Sequence, residues 1–244
     1  MILDVIASGS KGNAYILQNE QEALLIEAGV RFDAILKALD FNPAKVAGCL
    51  ISHEHGDHAK FADQVLKAAI PVYCSKGTAE SIKADKRPEI CEAGKVYRLG
   101  NFRFIPFATM HDAAEPYGFF IQHPETGNVL FATDTKFLKY TFQGLDNIMV
   151  ECNYSREILD RNVAAGRLPV SVRNRIIDSH FEITNLIGTL KANDLTQVKN
   201  IVLLHLSDNN SNAESFKAEV FRETGKKTFV AAPGLRINFN KQPF

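Results

Sequence analysis

Six consecutive residues, His53-Glu54-His55-Gly56-Asp57-His58, set three imidazoles among carboxylates directly after the apolar run 46–51. In an extended or loop backbone, residues two apart point the same way. His53 and His55 can therefore converge on one ion, while Asp57 and His58, on the next turn of chain, face a second. Neutral imidazole nitrogen and carboxylate oxygen are the ligand set of Zn2+, with Mn2+ or Fe acceptable, and a site with carboxylates but no Cys thiolate is of the catalytic rather than the structural kind. The bland alternative is a His-rich surface loop, yet the chain holds seven His in all, too few to assemble this pattern readily by chance. Two adjacent divalent ions are the expected cofactors.

Such ligands need a rigid base. The apolar run 46–51 reads as the strand that delivers the motif, and Phe61, Val65, Leu66 and Ala69 lie on one face of a following helix, which puts Asp57 and His58 at a helix N-terminus. Upstream, runs 2–7, 14–18 and 23–27 read as a small antiparallel meander, and 32–39 has helical spacing stopped by Phe41-Asn42-Pro43. Downstream, 71–74, 95–99, 102–110, 117–122, 129–133, 148–151, 201–204 and 228–231 read as strands, with helical spacing at 78–84 and 182–191. Two β-rich halves with flanking helices predict an α+β fold, a four-layer αββα sandwich. No linker or low-complexity segment interrupts it, so residues 1–244 are expected to form one domain.

Bulk properties narrow the class. A chain of 244 residues with 45% apolar and 23% charged residues is ordinary for a globular protein. Lys+Arg and Asp+Glu number 28 each, so no global field drives non-specific nucleic-acid binding, though a local patch remains compatible. The start of the chain lacks a basic segment and carries Asp4 inside its apolar stretch, and no apolar run approaches the ~18 residues of a membrane span. Neither export nor a membrane partner is expected. Cys49, Cys74, Cys91 and Cys152 show no C-x-x-C spacing and read as buried free thiols in a reducing, cytoplasmic compartment.

The motif H-x-H-x-D-H after a strand resembles the signature of the metallo-β-lactamase superfamily of hydrolases. That resemblance implies further ligands downstream, each at the C-terminal end of an apolar run: His111 after 102–110, Asp134 in Phe131-Ala132-Thr133-Asp134-Thr135, and His205 after 201–204. It assigns one ion to His53, His55 and His111, the other to Asp57, His58 and His205, with Asp134 as the bridge. Glu27 ends the third strand where the superfamily usually has Asp, and the match makes it a carboxylate that orients a ligand histidine. Within the superfamily the chain is similar to the WalJ/YycJ group of intracellular, nuclease-like members, on Ala7-Ser8-Gly9-Ser10-Lys11-Gly12-Asn13-Ala14, Glu151-Cys152-Asn153, Gly166-Arg167-Leu168-Pro169 leading to Arg175 and His180, and His205-Leu206-Ser207-Asp208-Asn209-Asn210. It departs from that group at Glu27, at Tyr154 in place of His, and at 181–184.

The resemblance implies a dinuclear hydrolase: the two ions share a hydroxide that attacks phosphorus in line, and Asp57 is both ligand and part of the catalytic group. His180, in Asp178-Ser179-His180-Phe181-Glu182, has the position of the histidine that assists leaving-group departure in ribonuclease Z, and is expected to be the general acid. On the substrate side, the glycine-rich loop 8–13 with Lys11 and Asn13 could hold an anion or simply turn the chain. Residues 154–178 hold five of the eleven Arg and no Lys. That makes Arg173 and Arg175 candidate phosphate contacts, or else members of a solvated face with Glu157, Asp160 and Asp178. Nucleic acid, DNA or RNA, is the expected partner; a lactone or thioester hydrolysed by the same metal site is the rival, and a metal-binding protein without catalysis is opposed by the full ligand set. His123 is expected to be exposed in a turn, and Asn209, Asn210 and Ser211 look like a cap for a helix over 216–221.

Overall fold

Apolar residues run through most of the strands without a polar break, and this is the pattern of sheets buried on both faces. The computed structural model describes residues 1–242. Its first half contains β1 (Ile2–Ala7), β2 (Ala14–Gln18), β3 (Ala23–Ile26), α1 (Phe32–Ala38), β4 (Val46–Leu50), α2 (Gly56–Ala59), α3 (Ala62–Lys67), β5 (Val72–Cys74), α4 (Lys76–Ser81) and β6 (Glu89–Ile90). Then follow β7 (Tyr97–Leu99), β8 (Phe102–Ala108), β9 (Tyr117–His123), β10 (Gly127–Ala132), β11 (Leu145–Glu151), α5 (Arg156–Ala164), α6 (Val170–Ser179), α7 (Ile183–Lys191), β12 (Asn200–Leu204), α8 (Ala213–Thr224), β13 (Lys227–Val230) and β14 (Arg236–Asn238).

The strands form two mixed, seven-stranded sheets, in the orders β14-β1-β2-β3-β4-β5-β6 and β13-β12-β11-β10-β9-β8-β7. In the first sheet, β3, β4, β5 and β6 run parallel while β14, β1, β2 and β3 pair antiparallel. The second repeats the plan, with β10 to β13 parallel and β7 to β10 antiparallel. Each parallel block gathers its C-terminal strand ends on one edge, where α/β sheets place their ligands.

Leu3, Leu17, Leu24 and Ile26 of one sheet meet Phe104, Phe119, Phe131, Met149 and Val202 of the other in the central core. Ile35, Val65 and Leu66 cover the outer face of the first sheet; Leu186, Leu190, Phe216 and Val220 cover that of the second. The result is the four-layer αββα sandwich. Burying each such side chain contributes roughly 1.5–3 kcal/mol, so this packing fixes the strand ends firmly.

Several local expectations change. Residues 154–178 are two helices, α5 and α6, separated near Gly166, whose φ of 69° suits a residue without Cβ. α4 begins earlier than its apolar spacing suggests because Ser75 caps it, accepting from the Thr78 N–H at 3.1 Å. The cap of α8 is Asn212, which accepts from Ser215 N–H at 2.9 Å, and not the 209–211 run. His123 is buried rather than exposed: β9 continues through it, its Nε2 lies 3.0 Å from Glu22 and its ring packs 4.6 Å from that of Phe102. All four cysteines are buried and free, and among the described residues no helix is long and apolar enough to cross a membrane.

The loop 8–13, Gly29 and Asp57 meet at one point. Asn13 N–H donates to Asp57 O at 2.7 Å and Gly29 N–H to Asn13 O at 2.9 Å. A Cβ on Gly29 would lie 1.7 Å from Asp57 O. Gly29→Ala should therefore push the motif backbone aside and destabilise the fold by roughly 1–3 kcal/mol, whereas Gly188→Ala, in a helix with nothing within 4 Å of the new Cβ, should stabilise it by roughly 0.4–1 kcal/mol. Urea unfolding midpoints of the two variants check both signs.

Candidate metal centre

Most charged or imidazole side chains of the candidate centre come from the end of a parallel-block strand or the loop just after it. Glu27 follows β3, His53 to His58 follow β4, Asp134 follows β10, Glu151 ends β11 and His205 follows β12. His111, after the antiparallel β8, reaches the same point. Non-glycine residues with positive φ number six among the described residues, and three of them, Glu27 (68°), Asp134 (42°) and His205 (51°), lie here. Such backbone is strained by of order 1–3 kcal/mol per residue and survives only where the surroundings impose it.

His53, His55 and His111 offer nitrogens that all lie within 4.8 Å of one another. His55 Nδ1 is 3.1 Å from His53 Nε2 and 3.2 Å from His111 Nε2. The other nitrogens are held: Nδ1–H of His111 donates to Ser179 O at 2.9 Å, and Nδ1 of His53 lies 2.9 Å from Ser52 Oγ. Fixing the far nitrogen this way aims the near one at a common ion. Burial lowers the pKa of His53 well below its ordinary value and lowers that of His111, keeping both rings in the neutral form a metal requires.

Asp57, His58, Asp134 and His205 form a second set with donors within the same span. Asp57 Oδ2 is 3.3 Å from both His58 Nε2 and His205 Nε2. Asp134 Oδ2 is 3.5 Å from His58 Nε2, 3.5 Å from His111 Nε2 and 3.9 Å from His53 Nε2, so this carboxylate lies between the two sets. Glu27 sits behind His58, its Oε1 3.5 Å from Nδ1, with both side chains fully buried. His205 Nε2 is buried without a hydrogen-bond partner among the described residues, as befits a lone pair aimed at an ion. Burial alone would lower the pKa values of His58 and His205, yet Asp134, with Glu27 beside His58, raises both well above the ordinary value. A field strong enough to hold protons on buried rings favours divalent cations in the same place. The residues fit divalent metal ions.

Sequence reading did not assign a role to Glu151. It is fully buried; Oε1 lies 2.6 Å from His180 Nδ1 and 3.3 Å from His205 Nδ1, and Oε2 accepts from the N–H groups of Thr135 at 2.9 Å and Phe181 at 3.1 Å. The available signal was an acid closing the otherwise apolar 148–150, on a par with Asp134 and Glu27. Asp134, Glu151, His180 and His205 also have donors within 4.8 Å of one another, but the 2.6 Å contact is a hydrogen bond that occupies His180 Nδ1 and Glu151 Oε1 together. It leaves no room for an ion between them. Burial alone would lower the His180 pKa, and Glu151 overrides this and raises it.

The residues expected on the substrate side separate. Asn13 is buried inside the centre, its Nδ2 3.1 Å from His58 Nε2 and 3.3 Å from Asp57 Oδ2. Lys11 is exposed, and the N–H groups of Gly9, Gly12 and Asn13 donate to Asn13 Oδ1, Gly9 O and Asp57 O. Those three N–H groups buttress the motif and leave no anion cradle among them. Arg173 donates to Asp160 Oδ1 at 2.6 Å across α5 and α6, away from the donor sets, whereas Arg175 lies 3.5 Å from Asp112, itself beside His111.

Residues 24–206 match the family described as "Beta-lactamase superfamily domain". Among curated proteins, the chain is 29% identical over 251 residues to exodeoxyribonuclease YycJ of Bacillus anthracis, covering 96% of this chain and 93% of that one. It is 27% identical over 229 residues to exodeoxyribonuclease WalJ of Streptococcus pneumoniae serotype 2, covering 85% and 82%. Among solved structures, the metallo-beta-lactamase fold protein YhfI from Bacillus subtilis superposes with a TM-score of 0.70 at 15% identity, covering 97% of this chain and 98% of that one. Human tRNase Z, short form, gives 0.65 at 14% identity, covering 98% and 99%.

A donor set this dense should bind divalent ions in the folded state alone. At a free Zn2+ or Mn2+ concentration of about 1,000 times the dissociation constant, one site adds about 4 kcal/mol, which for a domain of this size raises the melting midpoint by roughly 8–16 °C. Differential scanning calorimetry of chelator-stripped and metal-loaded protein measures it, and Asp134→Asn should abolish most of the gain.

Proposed function

The chain belongs to the beta-lactamase superfamily as a metal-dependent hydrolase, and from that footing we propose that it is a nuclease, cutting DNA phosphodiester bonds with two divalent ions, Zn2+ or Mn2+, in a single domain of residues 1–244. The observation that carries this reading is the His180–Glu151 pair, hydrogen-bonded at 2.6 Å beside the ligand sets. A thioester, whose thiolate departs without a proton, has no equal need of a donor at that place. The names of the two exodeoxyribonuclease relatives support DNA as the substrate. Four buried free thiols support a reducing, cytoplasmic setting.

Bound at His53, His55 and His111 and at Asp57, His58 and His205, with Asp134 shared, the two ions would supply Lewis acidity, acidifying water and neutralising charge on phosphoryl oxygens. The chain's own residues do the rest. Ser179 O holds His111 in orientation through a hydrogen bond, and the Glu27 carboxylate, 3.5 Å from His58 Nδ1, attracts that ring. Asn13, with its amide against Asp57 and His58, keeps the two from swinging apart. Glu151 fixes Nδ1 of His180 and favours its protonated form, so Nε2–H is the proton delivered to the departing oxygen. Arg175 at the rim is free to meet a phosphate by displacing Asp112 from its 3.5 Å contact.

Metal-loaded enzyme should hydrolyse an oligodeoxynucleotide and bis-p-nitrophenyl phosphate but neither a homoserine lactone nor an acyl thioester at comparable rate; the reverse preference contradicts the reading. His180→Ala should retain its metal yet lose ~10²- to 10⁴-fold on DNA, whose alkoxide leaves only with a proton. On bis-p-nitrophenyl phosphate, whose phenolate departs unaided, the loss should be slight. Equal losses on both would make His180 a positioning residue.

A further inference from the structure

Next to His180 opens a groove of about 680 Å3 whose walls are the segment after Asp134, Lys136 to Thr141, and one face along the whole of α7, from Thr184 to Ala192. Three features of its lining go together. Lys136, Lys139 and Arg156 bring three cations, and no carboxylate lines it. Phe137 and Tyr140 both line it with 39% and 38% of their surface exposed, so two aromatic rings are open to solvent in one groove. Lys139 Nζ stands 5.8 Å over the ring of Tyr140, so a cation and an aromatic face are offered together.

The wall is not a loose loop. Lys136 N–H donates to Met110 O at 3.0 Å, Met110 N–H to Thr135 Oγ1 at 3.0 Å, and Thr135 Oγ1–H to Phe137 O at 2.9 Å. Tyr140 is steadied from behind by Phe107, edge to face at 5.8 Å. The backbone that carries Phe137 and the ring of Tyr140 are thus tied to the segment beside His111 and Asp134. Meanwhile three of the five arginines of the helical hairpin have partners within it: Arg161 on Glu157, Arg167 on Asn162 and Arg173 on Asp160. Arg156 alone of the five lines the groove.

We propose that this groove holds the unpaired strand of the DNA leading away from the reacting phosphodiester, a substrate class taken from the nuclease reading above. Bases stack on Phe137 and Tyr140, and the backbone phosphates lie along Lys136, Lys139 and Arg156. Lys136 is 3.9 Å from the exposed Asp178 and must exchange that neighbour for a phosphate. Aromatic faces in a groove engage only bases that have left the stack of a duplex, so the occupant is single-stranded. His180 lines the same groove, which makes the strand path continuous with the bond to be cut.

Fluorescence anisotropy of a fluorescein-labelled oligodeoxythymidylate on the metal-stripped full chain tests this without cleavage. Phe137→Ala with Tyr140→Ala should weaken binding roughly 5- to 150-fold for each base that no longer stacks, with an unchanged slope of log affinity against log salt. Lys136→Ala, Lys139→Ala and Arg156→Ala together should flatten that slope by about 0.7 for each phosphate no longer neutralised, about 2 in all. Unchanged melting midpoints and metal content certify the variants, and Phe137→Leu with Tyr140→Leu, which keep apolar bulk and remove the rings, serve if the alanines do not fold. Binding equal to wild type in both sets, no binding by wild type, or equal affinity for a fully paired hairpin would overturn the groove. A wild type that binds through these residues yet never cleaves DNA would sink the nuclease reading and keep the groove; one that cleaves DNA while the variants bind unchanged would do the opposite.

Discussion

One buried carboxylate, Asp134, has four imidazoles around it: His53, His58, His111 and His205 all present a nitrogen within 3.9 Å of its oxygens. Only 3% of its surface meets solvent. A charge so placed is tenable when compensated, and several buried rings cannot all be protonated side by side. Divalent ions resolve both demands. The surrounding structure serves that compensation: two parallel blocks aim their C-terminal ends at one point, three strand ends adopt positive φ to turn their side chains inward, Ser179 O and Glu151 each hydrogen-bond a histidine Nδ1, and Glu27 sets its charge 3.5 Å from His58 Nδ1. The stability lost to strain is small beside the core that the two sheets share.

The centre was legible in the sequence because its residues are rare types at the ends of apolar runs. H-x-H-x-D-H, His111, Asp134 and His205 each close a strand pattern, and the structure brings all seven together; the sandwich itself followed from the β-rich halves. Glu151 was harder to see because an acid after Val150 looks like any strand-end acid until the pairing of β11 between β10 and β12 buries it. His123 was misread for a related reason: its neighbours Pro124 and Gly127 signal a turn, but β9 extends through it and Glu22, about a hundred residues earlier, comes to meet it. Long-range partners of this kind leave no local trace. The arginines of 154–178 left two readings open, phosphate contacts or a solvated face with Glu157, Asp160 and Asp178, and helix geometry pairs Arg161 and Arg173 with Glu157 and Asp160 as the second has it.

The two sides of the site are built from different materials. The clustered imidazoles and carboxylates sit at or just after strand ends of the double sheet. The groove beside His180 is instead lined by α5 to α7 and by the segment after Asp134. Ser179 O joins the two, because the last residue of α6 is also the acceptor for His111. This division explains why membership of a broad hydrolase superfamily comes easily from the motif, while the substrate must be argued from the groove and from His180.

The claim on which the account rests is that Asp134 joins two ion sites. Elemental analysis of the purified chain, stripped with chelator and reloaded with Zn2+ or Mn2+, counts them directly. The account predicts two ions per chain in the wild type and about one after His55→Ala, which removes a donor of the first set alone. A stoichiometry that saturates at one in the wild type, however high the metal concentration, would contradict it.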